Sequence, residues 1–141
     1  MGVGKREENF KRYIERHFGI ELPAGIVLLY RRGVRVASPA LQNCDIHGEP
    51  GYAACDFGFN PTHAFIQNFG HLAKRNTVQM SEEMARAYAA GKDLRIDLGE
   101  KRKHIIVRYK GHVLGSGYYN GKKTLLNKLP KKGCREIINR L

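Results

Sequence analysis

Cys44, His47, Cys55 and His63 are of types that could hold a metal, and the stretch from Ser38 to Pro50 around the first two is rich in turn formers. A structural zinc site is usually spelled by paired Cys-x-x-Cys knuckles or by a His-x(3–5)-His pair. Neither occurs here, and Cys55, inside an apolar run, reads more simply as a buried thiol. A Cys/His nucleophile could be assembled from Cys44, Cys55 or Cys134 with any of the six histidines, but nothing local marks a partner pair. Cys134 lies near Lys131, Lys132 and Arg135, a setting that favours the thiolate without naming a reaction. Gly111-x-x-x-Gly115-x-Gly117 lacks the GxGxxG order of a dinucleotide loop. Those glycines are expected at a tight turn, at a bulge, or where another backbone comes close. No catalytic residue, metal or cofactor is expected.

The chemistry the chain does announce is cationic. Residues 101–141 hold twelve Lys and Arg against one acid, Glu136, a local charge of +11 out of +12 for the whole chain. The first hundred residues are nearly balanced, with 13 bases and 12 acids. Such segregation costs self-repulsion and marks a surface built for a polyanion. Arg108 and Lys110 are placed on one side of a strand pair, Lys122 and Lys123 at a hairpin tip, and Asn127, Lys128, Lys131, Lys132 and Arg135 in and beyond the next loop. Tyr118 and Tyr119 lie among them, and an exposed tyrosine can stack an unpaired base while cations hold phosphates. Arg31 and Arg35, in a second hairpin, are possible supports. The expectation is that these cations crowd a single exposed flank.

The elements that would position them follow from periodicity. Lys5 to Phe18 reads as an amphipathic helix with Phe10, Tyr13, Ile14, His17 and Phe18 on one face, closed by Gly19. Gly25 to Ala37 reads as a hairpin turning at Arg31-Arg32-Gly33, and Tyr52 to Phe59 as a strand. Asn60-Pro61 signals a helix start, with Ala64, Phe65, Phe69 and Leu72 as its apolar stripe and Gly70 as an early stop. Ser81 caps the clearest helix, which buries Met84, Ala85, Tyr88 and Ala89 and stops at Gly91. Leu94 to Leu98, His104 to Tyr109, His112 to Tyr119 and Lys122 to Leu126 read as strands, the last three an antiparallel meander turning at Lys110-Gly111 and Asn120-Gly121. Cys134 to Leu141 reads as a short closing helix. The fold class is α+β: a small mixed β-barrel decorated by helices.

A chain of 141 residues suits one domain able to bury its own core, and 42% hydrophobic with 27% charged residues fits a globular protein. No apolar run approaches the roughly 20 residues of a membrane span. The opening, Met1 to Arg6, reads as neither a signal peptide nor an N-myristoylation motif. Three cysteines without framework spacing fit a reducing, cytoplasmic setting.

Four segments, in order, resemble a known family. Asn60-Pro61-Thr62-His63-Ala64 is similar to a "(E)PSHA" helix opening, and Ser81 to Leu94 to an "S-x-E-x-A-x-x-Y-x-x-G-x-x-L" segment. Gly111 to Gly117 is similar to a "G-x-x-L-G-x-G" strand, and Asn127-Lys128-Leu129-Pro130-Lys131 with Arg135 to a "KN-x-x-PK-x-x-R" loop. Together they resemble the PUA-like RNA-binding domain at the C-terminus of RsmF-type Nop/Sun RNA 5-methylcytosine methyltransferases. The match is strongest over 60–135 and looser over 1–58, within a single domain of 1–141. Leu126 stands where the family has Lys, and Lys132 is an extra residue before Arg135. The resemblance implies a PUA-like barrel that binds structured rRNA or tRNA. It implies no methyl transfer, since no cysteine follows a proline and a stand-alone chain has no room for an S-adenosylmethionine domain. The partners implied are RNA and an RNA methyltransferase or other modification enzyme, in RNA modification or ribosome assembly. The alternatives are a protein-interaction subunit of an RNA-modifying complex, or a zinc-binding or Cys/His-dependent protein.

Overall fold

A computed structural model of the chain describes residues 5–30, 34–37, 52–55 and 60–131. By its contacts the chain divides into two compact units, Met1–Arg75 and Asn76–Leu141. Among the described residues, no helix is long and apolar enough to cross a membrane.

In the N-terminal unit, helix α1 (Lys5–His17) has Glu7 and Glu8 in its first turn and Arg16 and His17 in its last, the order that its dipole favours. Phe10 and Ile14, with Phe18 just beyond, are fully buried. Gly19 (φ +70°) takes the left-handed turn that stops the helix, and the Ile20 N–H donates back to the Ile14 carbonyl. Strands β1 (Val27–Tyr30), β2 (Val34–Ala37) and β3 (Tyr52–Ala53) form an antiparallel sheet in that order. Of the described residues of the strand expected from Tyr52 to Phe59, Tyr52 and Ala53 join this ladder. Cys55 instead bridges Pro61, and 56–59 lie outside the described residues.

Helix α2 (His63–Phe69) starts later than Asn60-Pro61 suggests. Pro61 is held extended in its bridge, and the Thr62 hydroxyl caps the helix by accepting from the Phe65 N–H at 3.2 Å. Its buried residues are Phe65, Ile66 and Phe69, whereas Ala64, expected in the stripe, is exposed. Gly70 ends α2 as expected and opens a 3-10 turn, Gly70–Leu72.

Among the described residues the C-terminal unit is one helix on one sheet; the closing helix expected from Cys134 to Leu141 lies outside them. Strands β4 (Thr77–Gln79), β5 (Leu94–Arg95), β6 (Lys103–Tyr109), β7 (His112–Tyr119) and β8 (Thr124–Asn127) run in the order β4-β6-β7-β8-β5, a curled half-barrel. β4 is parallel to β6 and the other pairs are antiparallel. This is the α+β mixed sheet, with its C-terminal antiparallel meander, that the strand pattern predicts. β4 itself has no counterpart in that pattern, and the Leu94–Leu98 strand is cut to two residues.

Helix α3 (Glu82–Ala89) begins at Ser81, whose hydroxyl accepts from the Met84 N–H. It ends with Gly91 at φ +87°, where Gly91 N–H donates to Tyr88 and Lys92 N–H to Ala87, the paired bonds of a Schellman stop. Ala85, Tyr88 and Ala89 join Met80, Leu94, Ile105, Val107, Leu114, Tyr119, Leu125 and Leu129 in one core. Each large side chain buried there contributes about 1.5–3 kcal/mol, provided any polar tip finds a partner. Both tyrosines comply: the Tyr88 hydroxyl donates to the Ser116 carbonyl at 2.6 Å and the Tyr119 hydroxyl to the Gly99 carbonyl at 2.8 Å.

The three glycines divide the roles expected of them. Lys110 (φ +49°) and Gly111 (φ +81°) make the tight β6–β7 turn, and a bulge follows Val107 opposite Gly115. At Gly117 a Cβ would lie 2.9 Å from both the Leu125 side chain and the Leu126 carbonyl.

Candidate nucleic-acid interface

The loop after β8 is held from below by one side chain. The Asn127 carboxamide donates to the backbone carbonyls of Tyr88 (2.8 Å) and Lys92 (2.9 Å), and its oxygen accepts from the Leu129 N–H (2.8 Å). Its own N–H donates to the Asp93 carboxylate at 2.8 Å, while the Lys128 N–H donates to Ser116 at 3.3 Å. Leu129 is buried in the core, so the segment is pinned on both sides of Lys128. Lys128 and Lys131 stand exposed above this base. With both amide hydrogens engaged, Asn127 serves as a clasp for the flanking lysines, a role different from the phosphate contact expected of it.

At the other end of β8, the hairpin tip departs from a two-residue Asn-Gly turn. Tyr119 pairs with Leu125, leaving residues 120–123 as the connection. Gly121 (φ +78°) and Lys123 (φ +61°) take the left-handed positions, while the Asn120 side chain accepts from the N–H groups of Lys122 (2.7 Å) and Thr124 (3.3 Å). The tip leans on the segment before β6: the Ile96 N–H donates to the Lys123 carbonyl, and a Cβ on Gly121 would sit 2.8 Å from the Glu100 carbonyl. Lys122 and Lys123 are exposed, but they share a shallow depression with Asp97 and Glu100. Those carboxylates weaken the field at this end.

Along the chain the cations fall into two groups, one at each end of β8. Lys122 and Lys123 precede β8, and Lys128 and Lys131 follow it, separated by about 14 Å of strand at 3.4 Å per residue. Lys101 and Arg102, absent from the predicted set, belong with the first group. Lys103 pairs with Tyr119, and Gly121 approaches the Arg102 side chain. Their place was readable only from the pairing of β6 with β7. Among the described residues, Lys101, Arg102, Lys122, Lys123, Lys128 and Lys131 form no ion pair.

The remaining expected residues behave differently from one another. Lys110 is exposed, with its ammonium 5.3 Å from the centre of the Tyr109 ring. Arg108 is half-buried, paired in register with Gln79 and Val113. Tyr119 is fully buried, its hydroxyl also accepting from the Lys123 N–H, so it supports the tip and offers no ring to a base. Tyr118 is half-buried on the opposite side of the strand, packed against His104 at 5.0 Å. Arg35 belongs to β2 of the N-terminal unit. Arg31, Lys132 and Arg135 lie outside the described residues, as do Cys44, His47 and Cys134. Cys55 is buried and in no disulfide, and no group of three metal-binding side chains occurs among the described residues.

Comparison with known proteins bears on residues of this same unit. The family model described as the methyltransferase RsmF PUA domain matches residues 75–133. The chain is 33% identical over 82 residues to the ribosomal RNA small subunit methyltransferase F of Psychromonas ingrahamii, covering 57% of this chain and 16% of that protein. It is 30% identical over 79 residues to the proteins of that name from Aeromonas salmonicida and Aeromonas hydrophila, covering 56% of this chain and 16% of each. The match therefore spans about one sixth of the length of these curated relatives. Three of the four ordered segments, the mixed curled sheet and the family match coincide, and residues 75–133 of this chain are a PUA-like domain of the RsmF type.

Proposed function

We propose that the C-terminal unit binds structured RNA, with ribosomal RNA as the first candidate and tRNA as the second, and that the chain contributes binding and not catalysis. What carries this reading is the run from Lys101 to Lys131: nine cations and no acid, six of them without an ion-pair partner among the described residues, within a domain type shared with ribosomal RNA methyltransferases. In this reading Lys122, Lys123, Lys128 and Lys131 contact phosphates, continued by Lys132 and Arg135, with Lys101, Arg102, Arg108 and Lys110 extending the field. Arg31 and Arg35 act as supports, Tyr118 borders the site, and Asn127 and Tyr119 hold loop and tip in place. Residues 1–141 act as one cytoplasmic module that presents RNA to a modification enzyme, such as a methyltransferase, or to an assembling ribosomal subunit.

The test is fluorescence anisotropy with a stem-loop from small-subunit ribosomal RNA across a salt series. With about six phosphates neutralised, the log–log slope of affinity against salt is expected at about −4 to −5. A complex insensitive to salt, or no complex at low salt, overturns the proposal.

A further inference from the structure

Helix α1 carries an aromatic and cationic surface that the reading above leaves unused. Tyr13 and His17, one turn apart, lie ring over ring, with centroids 5.3 Å apart and planes 9° from parallel. Both are half-buried, and Phe18 meets each of them edge-on, at 6.1 Å and 4.5 Å, which fixes their tilt. Arg12 and Arg16 flank the pair and are exposed, and with Asn9 these residues line a shallow depression that contains no acid.

Two like charges at i and i+4 repel, so this pair weakens the helix unless something answers it. Glu8 and Glu15 stand at i−4 and i+3 from Arg12, in reach of an answer, yet among the described residues neither arginine forms an ion pair. The face therefore offers two available guanidinium groups beside a rigid aromatic step. Guanidinium suits phosphate by bidentate hydrogen bonding, and an aromatic ring edged by cations suits the face of an unpaired base. A duplex, whose bases are stacked inside, could use the arginines but not the rings.

We infer that α1 is a second RNA contact, specific for unpaired nucleotides. Arg12 and Arg16 take the phosphates and the Tyr13–His17 step takes a base. This rests on the RNA-binding proposal above, and the test separates the two.

The full chain is titrated with two labelled RNAs, a blunt stem-loop and the same stem-loop extended by about six unpaired uridines. The wild type is expected to bind the extended RNA about fivefold more tightly. The Arg12→Gln/Arg16→Gln variant, altered only at exposed positions, should lose that gain and reduce the salt slope for the extended RNA by about 1.4, two phosphates at the single-strand coefficient. Its affinity for the blunt stem should stay within twofold. Tyr13→Ala should lose part of the gain and Tyr13→Phe should keep it, which distinguishes stacking from a hydroxyl contact. Equal binding of both RNAs by the wild type, or an undiminished gain in the arginine variant, overturns this inference and leaves the first proposal standing. Failure to bind either RNA overturns both. If the arginine variant loses binding to phosphatidylserine vesicles while keeping the RNA gain, the surface belongs to a membrane and the inference is wrong.

Discussion

Residues 1–75 hold ten Lys and Arg against seven acids, and residues 76–141 hold fifteen against six. The arrangement differs more than the totals. In the first unit the signs alternate along α1, from Glu7 and Glu8 through Lys11 and Arg12 to Glu15 and Arg16. In the second, five acids fall between Glu82 and Glu100, and the next does not come until Glu136. The cores differ in kind as well. Phe10 meets Phe65 edge-on at 5.3 Å and Phe65 meets Phe69 at 5.2 Å, contacts of ring on ring. In the second unit Tyr88, Tyr119 and Asn127 tie the core to named backbone atoms. A hydrogen-bonded core fixes register, and register is what decides where each lysine emerges. The comparison suggests that the second unit is built to hold cations in place and the first to hold a helix against its neighbours.

The sharpest way to break that contrast is to disturb register. At Gly117 a branched side chain has no room, because one of its close neighbours is the Leu126 carbonyl, which cannot rotate away. Gly117→Val should destabilise the second unit by about 3 kcal/mol, measured as lost amide-exchange protection over 94–127. An equal loss over 60–75 would erase the division into two units. Removing the clasp comes next. Asn127→Ala leaves two carbonyls and one N–H without their partner and should cost about 2 kcal/mol. It should also weaken stem binding although the residue touches no RNA. Intact RNA affinity in a destabilised N127A protein would show that the loop needs no clasp.

What the sequence could show follows the range of the forces involved. Local signals survived intact: Ser81 as a cap, Gly91 as a stop and Lys110-Gly111 as a turn. Strands defined by a distant partner did not. β4 is three residues whose sheet neighbour among the described residues is parallel β6, nearly thirty positions later, so no pattern inside Thr77–Gln79 announces it. Tyr119 looked exposed beside Lys122 because adjacency to charge says nothing about which side of a strand a ring occupies. Asn120-Gly121 implied a two-residue turn, but the Asn120 side chain closes a wider one. The basic character of the site was legible by counting, whereas its division into two groups needed the length of β8.

That division sets the third prediction. If the field of the second unit is what RNA meets, the group after β8 should matter more, since Asp97 and Glu100 stand beside the group before it. Lys128→Glu/Lys131→Glu should lower stem affinity at least about tenfold, and Lys122→Glu/Lys123→Glu about threefold, with circular dichroism unchanged in both. Equal losses would mean that the carboxylates do not screen the tip.

The smallest expected effect tests the first unit on its own terms. Arg75 ends that unit, and its guanidinium donates to the carbonyls of Arg16 (2.7 Å) and Glu15 (2.6 Å) at the C-terminus of α1, while its N–H donates to Phe18. A cation there adds a partner to the last carbonyls of the helix, that of Glu15 also accepting from the Gly19 N–H, and opposes the negative end of the dipole. Both side-chain contacts are exposed to solvent, so Arg75→Ala should cost only a few tenths to about 1 kcal/mol, seen as earlier fraying of residues 15–20 by amide exchange. Stem affinity should not move beyond the loss of one charge, because the side-chain bonds it makes end on α1. Were the R75A protein instead to lose stem binding as severely as the Lys128/Lys131 variant, the RNA field could not be assigned to the second unit, and the contrast between a cation-holding unit and a helix-holding one would fail at its boundary.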